Sequence, residues 1–279
     1  MIWVNSIMAN SIRDNLGVHD TISEIRLLLG KNKNNVCVVV EGINDQKLFE
    51  PLLADNTTLV QSYSGKKDII NIIKCFPRNK RVIGIRDRDY SKSSESKRVF
   101  FCDYSCAEMM IISLDECFRR TYSNFYAKQT LSFKDLRLYC LEHLEQLSKI
   151  RKLNELNNWN INFKTVKLKN IFNDDIIKMN KNLFDQIIRC RVNHVTRKQL
   201  NKCNSYEKCG SLEDYLDITN GHDFIEMFKI SCDEGGRESS IDEIAANIRG
   251  TFGIHEFRQT RLYSALYDYQ SKKNLALVN

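Results

Sequence analysis

Between Val36 and Val40, five β-prone apolar residues run without a polar interruption. That pattern predicts a strand covered on both faces, as in a parallel sheet. The run stops at Glu41. Gly42, which lacks a Cβ, allows a sharp turn there. Asn44 is placed to cap a helix opening with Asp45-Gln46-Lys47-Leu48-Phe49, whose core-facing stripe is Leu48, Phe49, Leu52 and Leu53. Upstream, Thr21-Ile22-Ser23-Glu24 reads as a capping box opening a helix with the stripe Ile22, Ile25, Leu28 and Leu29, ended by Gly30. Downstream, Thr58 to Tyr63 reads as a second strand and Ile69 to Ile73 as a helix. Lys80 to Arg86 reads as a third strand, with Gly84 permitting close backbone approach, and Arg98 to Cys102 as a fourth. A helix then runs through Ile112. Strands alternating with helices predict an α/β fold with a parallel sheet flanked by helices and right-handed crossovers.

Beyond Arg119 the apolar period is helical. Leu136, Tyr139, Cys140, His143, Leu144 and Leu147 mark a long amphipathic helix, and an Asn-rich break follows at 157 to 162. Further helices are expected around Phe184 to Cys190, at Tyr215-Leu216, over Phe224 to Ile230, over Ile241 to Phe252, and from His255 to about Lys272. The expected organisation is a lead-in over 1–35, an α/β domain over 36–118 and a mainly helical region over 119–279.

The composition, 42% hydrophobic and 28% charged over 279 residues, is that of an ordinary globular protein. No apolar run is long enough for a membrane span, and Met1-Ile2-Trp3-Val4-Asn5 does not open like a secretory signal. Ten cysteines, scattered singly, fit reduced thiols and a cytoplasmic location. The net charge of +7 is uneven. From Arg119 to Lys208 there are 19 Lys/Arg against 8 Asp/Glu. Such a segment favours a polyanion such as nucleic acid, with Lys167 and Lys169 as candidate contacts.

The candidate chemistry lies where the strands end. Glu41 and Asp45 follow the first, Asp87 and Asp89 the third, and Asp103 and Glu108 the fourth. Strand alternation would point Asp87 and Asp89 the same way. Open α/β sheets bind ligands along this edge, and mutually repelling carboxylates there are relieved by a hard cation. Gly65-Lys66-Lys67 at a helix start can meet a phosphate, although it lacks P-loop spacing, and Arg88 is a further candidate phosphate contact. Cys190, His194, Cys203, Cys209, His222 and Cys232 invite a zinc reading, but none forms the tight C-x-x-C pair such sites usually show. Tyr263, Tyr267 and Tyr269 fall at helical spacing, which favours packing over base stacking.

Three blocks carry a resemblance: Val-Val-Val-Glu-Gly-Ile-Asn-Asp (38 to 45), Val-Ile-Gly-Ile-Arg-Asp-Arg-Asp-Tyr (82 to 90) and Asp-Tyr-Ser-Cys-Ala-Glu (103 to 108). E-G-x-x-D followed by an apolar strand ending in D-x-D resembles the TOPRIM pattern, and the three blocks together resemble stand-alone TOPRIM nucleases of the OLD-like bacterial defence group. Asn220-Gly221-His222-Asp223-Phe224 is similar to a Gly-His-Asp element of that group, although a structural role for His222 competes with a catalytic one. Arg86 departs from the pattern, which usually has an apolar residue before D-x-D.

The resemblance implies a TOPRIM-type sheet and a nuclease using Mg²⁺ or Mn²⁺. It implies Asp87 and Asp89 as metal ligands, Glu108 as ligand for a second ion, Glu41 as ligand or general base, and Asp45 as an orienting group or ligand. It further implies a toxic effector of the AriB kind, as in PARIS anti-phage systems, with RNA (tRNA among the candidates) or DNA as substrate. An ATPase partner of the AriA kind would restrain it, and it would be a homo-oligomer when active. The apolar helix Phe257 to Tyr269 is the expected contact for either partner. The alternative is a catalytically inactive TOPRIM scaffold that binds nucleic acid or the ATPase.

Overall fold

The computed structural model describes residues 16–63, 66–91, 93, 96–163, 166–189, 197–201, 208–233 and 239–279. In chain order the elements are α1 (Val18–Lys31), β1 (Val36–Val40), α2 (Ile43–Phe49) with a 3-10 turn (Glu50–Leu52), β2 (Thr57–Gln61), α3 (Lys66–Lys74), β3 (Val82–Arg86) and β4 (Val99–Phe101). Then follow α4 (Ala107–Ser113), α5 (Asp115–Phe125), α6 (Phe133–Asn157), α7 (Leu168–Ile171), α8 (Ile176–Arg189) and α9 (Arg197–Asn201). The last are α10 (Leu212–Ile218), α11 (Gly221–Asp233), α12 (Ile241–Gly250), α13 (Ile254–Phe257) and α14 (Arg261–Lys273).

The chain divides into two compact units. The first comprises 1–87, 91–102 and 253–279; the second comprises 88–90 and 103–252. This partition differs from the expected boundaries at both ends. The segment after β4 belongs to the helical unit, and the C-terminal residues return to the sheet. The N-terminal helix is no separate lead-in. Ile22, Ile25 and Leu29 of α1 share one core with Cys37 and Val39.

In the first unit the strands lie in the order β2-β1-β3-β4 and every pair is parallel, as the sequence pattern predicts. All five residues of β1 and of β3 are buried, so each is an apolar run rather than an alternating one. One face carries Cys37, Val39, Val60, Val82 and Val99, packed against Ile69, Ile72 and Ile73 of α3 and the α1 stripe. Gly84 sits on that face. A Cβ there would lie 2.5 Å from Ile69 Cγ2, so the expected close approach is real and involves a helix side chain. Phe100, on the other face of β4, meets Tyr269 of α14 edge-on at 5.4 Å. Phe49 of α2 packs against Phe257 of α13, and Leu53 bridges Val278.

Some local expectations need correction. Thr21 does not cap α1, which begins at Val18; it is fully buried and its hydroxyl donates to the Gln61 carbonyl at 3.1 Å. The helix also runs through Gly30 to Lys31. Asn44 is not the cap of α2, because Gly42 is, with an extended backbone open to any residue (φ −151°). The single C-terminal helix is two, split where the Thr260 hydroxyl accepts from Tyr263 N–H at 3.0 Å and starts α14. Within that segment Phe257, Leu262, Leu266 and Tyr269 are buried in the first unit, whereas Tyr267 stays half-exposed.

The second unit is helical, as expected. Its core holds Phe118, Phe224 and Phe228, with Phe118 edge-on to both others at 5.8 and 5.6 Å. Arg137 of α6 is buried. It donates to Ile112 O at 2.9 Å, pairs with Asp115 at 2.6 Å, and lies over the Phe118 ring. No helix among the described residues is long and apolar enough to cross a membrane.

Candidate metal and phosphodiester site

In the first unit, the chain leaves β1 for β2 on one side of it and then crosses to β3 on the other. That reversal makes the gap between the C-terminal ends of β1 and β3 the topological switch point, where open α/β sheets hold ligands. Glu41 follows β1 and Asp87 follows β3. The strands pair with Val39 opposite Gly84, so two residues further on Glu41 comes level with Arg86, one residue before Asp87. The two backbones run roughly 5 Å apart there. Both carboxylates are half-buried.

The surroundings of this pair are built from the backbone outward. Ser62 is fully buried; its N–H donates to Val40 O at 3.0 Å and its hydroxyl to Glu41 O at 3.4 Å, tying the end of β1 to the end of β2. Asp45 lies at the third position of α2 and accepts the Gly42 N–H at 2.9 Å. It fixes the turn that carries Glu41. Arg86 is buried, its Nε donating to Asp87 O at 3.1 Å and its guanidinium 5.4 Å from the Phe101 ring centroid. The unusual cation is thus held by a carbonyl and an aromatic face.

Asp89 and Glu108 belong to the second unit. Strand alternation does not carry to Asp89, because β3 ends at Arg86 and Asp89 takes a left-handed turn (φ 49°). Aspartate tolerates that conformation better than most residues. Its N–H donates to Ser105 O at 2.7 Å, fastening the D-x-D turn to the loop before α4. That loop is docked in its turn on the α10–α11 connection. Ser105 N–H donates to Leu216 O at 3.3 Å, and the Ser105 hydroxyl bonds to Thr219 O.

Gly221 explains the close fit between this loop and α11. A Cβ at Gly221 would lie 2.6 Å from Glu108 Oε2, 2.8 Å from Glu108 Cβ and 2.9 Å from Cys106 Sγ. Only glycine lets Glu108 lie against the start of α11. We expect Gly221→Ala to cost about 1–3 kcal/mol through overpacking. Thermal denaturation would show it as a clear loss of Tm, whereas Gly210→Ala, where a Cβ meets nothing nearer than 3.8 Å, should leave Tm nearly unchanged.

The polar groups around the Gly-His-Asp element hold one another within the second unit. Asn220 Oδ1 accepts from the N–H groups of His222 and Asp223 at 3.0 and 3.3 Å, capping α11. His222 is exposed. Asp223 is buried and chelated by Arg151, with Oδ2 to Nε at 2.5 Å and Oδ1 to Nη2 at 2.7 Å. Burial raises the Asp223 pKa above the ordinary carboxylate value, and the Arg151 charge and hydrogen bonds oppose that rise. Burial likewise pushes up the Tyr90 hydroxyl, against the pull of Arg151. Arg151 stands in none of the sequence blocks. Asn220, three residues before Asp223, carries a capping signature that was legible; nothing local in the sequence marks Arg151 as its partner.

No family model matches the chain, and no curated protein matches it in sequence.

The donors at the switch point are carboxylate oxygens, the hard ligands Mg²⁺ and Mn²⁺ take. Mg²⁺ needs only one or two protein carboxylates, its other positions going to water and substrate phosphate, so Glu41 and Asp87 fit it in kind. Among the described residues, no group of three or more His, Cys, Asp and Glu is arranged to hold a metal ion. Of the thiols and imidazoles in the zinc reading, Cys190, His194 and Cys203 lie outside the described residues. The side chains of Lys66 and Lys67 do too, although both residues are in the first turn of α3. Arg88 is half-exposed, and Lys167 and Lys169 are exposed beside the short α7.

The basic segment looks different in three dimensions. Arg119 and Arg120 pair with Glu116, Arg137 with Asp115, Lys149 with Glu145, and Arg151 with Asp223. Several of the cations that make this stretch basic are therefore committed to internal partners.

Proposed function

We propose that the chain is a divalent-metal-dependent phosphodiester hydrolase that cleaves nucleic acid, with a TOPRIM-type catalytic sheet. The observation that carries this reading is the placement of Glu41 and Asp87 after adjacent parallel strands at the switch point of the sheet. In the proposed chemistry Asp87 would hold the ion, and Glu41 would share it or take the proton from the attacking water at its carboxylate. The bound ion would polarise a phosphate oxygen and stabilise the leaving oxygen. Asp45 keeps Glu41 in place through Gly42 N–H. The assignment of Asp89 and Glu108 as further ligands, and of Arg88, Lys66 and Lys67 to the phosphate backbone, rests on the motif pattern of the sequence.

On the same resemblance we extend the proposal to a toxic effector of anti-phage defence, restrained by an ATPase of the AriA kind. The alternative, an inactive scaffold, differs in turnover. Expression of the chain in cells, followed by sequencing of RNA and DNA fragment ends, separates the two and identifies the substrate. New ends should accumulate with the wild-type chain and vanish with Asp87→Ala. Identical end profiles in the two cultures would remove the nuclease reading.

A further inference from the structure

A cluster of six cations lies in the first unit, outside the basic segment and at the opposite end of β3 from Asp87. A cavity of about 640 Å³ opens there at the N-terminal ends of β3 and β4 and the C-terminal end of α14. Arg78, Lys80, Lys97, Arg98, Lys272 and Lys273 line it, against a single acid, Asp268. The acid neutralises little, since its contact with Lys272 is long, 3.9 Å, and exposed. No carboxylate among the described residues pairs with Arg78, Lys80, Lys97 or Lys273.

This is a built groove and not a scatter of surface lysines. Arg98 is held by three main-chain carbonyls, Asn79 O at 2.9 Å, Val82 O at 3.0 Å and Ile73 O at 2.9 Å. Lys80 donates to Lys273 O at 2.6 Å, and the Tyr269 hydroxyl donates to Lys80 O at 2.8 Å. Those bonds fix the walls relative to the strands. Phe100 and Tyr269, edge-on, supply the aromatic part of the lining. Arg78, Lys97, Lys272 and Lys273 remain exposed, with their charge directed to solvent.

We infer that this groove binds the phosphate backbone of a nucleic-acid strand. Six cations lining one concavity with a single acid focus a positive potential, and a repeating polyanion matches it better than an isolated carboxylate does. The choice of nucleic acid over other polyphosphates rests on the reading of the chain as a nuclease. The five residues of β3 span roughly 17 Å, about five nucleotides of strand, so a substrate passing the carboxylate edge is within reach of the groove. Binding there would hold a long substrate without touching the scissile phosphate.

The test is binding without catalysis. Fluorescence anisotropy with labelled single-stranded RNA and DNA about 20 nucleotides long, in EDTA, would follow affinity against salt. Lys97→Glu, Lys272→Glu and Lys273→Glu combined should weaken binding at least about tenfold near 0.1 M salt. They should also make the log–log salt slope shallower by about 2. The matching glutamine triple, milder to the fold, should shift both in the same direction by a smaller amount. Unchanged affinity and slope in either folded variant would overturn the inference. Saturation of the groove by a nucleoside triphosphate, with no lysine-dependent binding of the oligonucleotides, would overturn it as well. Lysine-dependent binding by a protein that never cleaves would leave the groove standing and remove only the nuclease reading.

Discussion

Glu41→Ala is expected to lower nucleic-acid cleavage by about 10²- to 10⁴-fold, the usual worth of a positioned proton acceptor, with little change in stability. Glu41 follows the last residue of β1 and is half-buried, so its removal opens no core cavity. Taking one carboxylate from an edge that also carries Asp45 and Asp87 relieves like-charge repulsion. Tm should stay within a few degrees of wild type, the shift for a change below about 1 kcal/mol in a chain of this size. Asp87→Ala should abolish cleavage too, chiefly through metal affinity, and calorimetric titration with Mn²⁺ would show that loss directly. A folded Glu41→Ala protein that cleaves at the wild-type rate would contradict the assignment.

The largest stability effect is expected at Arg151, the partner of buried Asp223. Arg151→Met removes both hydrogen bonds and the charge from a carboxylate with 8% side-chain exposure. Breaking a buried pair from one side typically costs about 3–5 kcal/mol, because the remaining charge is left without compensation. The cost should depend on pH. Burial already raises the Asp223 pKa, and without Arg151 nothing comparable opposes that rise. A carboxyl whose folded pKa lies above its unfolded value binds more protons when folded, so stability falls as pH rises through that window. The Tm deficit of Arg151→Met should thus be greatest near neutrality and shrink as the buffer is taken down toward the ordinary carboxylate pKa. Melting curves across that range, with Arg151→Lys as the conservative comparison, would check it. A deficit that is constant with pH would mean the packing of the arginine stem over Phe163, not its charge, was lost.

The sheet was legible in the sequence because parallel strands buried on both faces leave uninterrupted apolar runs, as at Val36–Val40. Strand order follows from the pairing of β1 with both β2 and β3, which no run of residues announces. The carboxylates were legible for the same reason as the strands, since each stands where an apolar run stops. What was not legible is long-range. The apolar stripe of the C-terminal helices is plain in the sequence, but not that much of it fills the first unit against residues such as Phe49, more than two hundred positions earlier. A charge count over the basic segment cannot see pairing either. Arg151 and Asp223 lie far apart in the chain, and the acids that take Arg119, Arg120 and Arg137 sit just outside the counted window. The cationic groove has no mark in the sequence, because its lysines and arginines come from three separated stretches, none of them rich in charge by itself.

The central claim is that the carboxylates at the switch point of the sheet act with a divalent metal on a phosphodiester. Cleavage of end-labelled RNA and DNA by the purified chain, first in EDTA and then with Mn²⁺ or Mg²⁺ restored, tests it most directly. The account predicts no products in EDTA, products once the metal returns, and none at any metal concentration with Asp87→Asn. Undiminished cleavage in EDTA, or equal cleavage by Asp87→Asn, would contradict it.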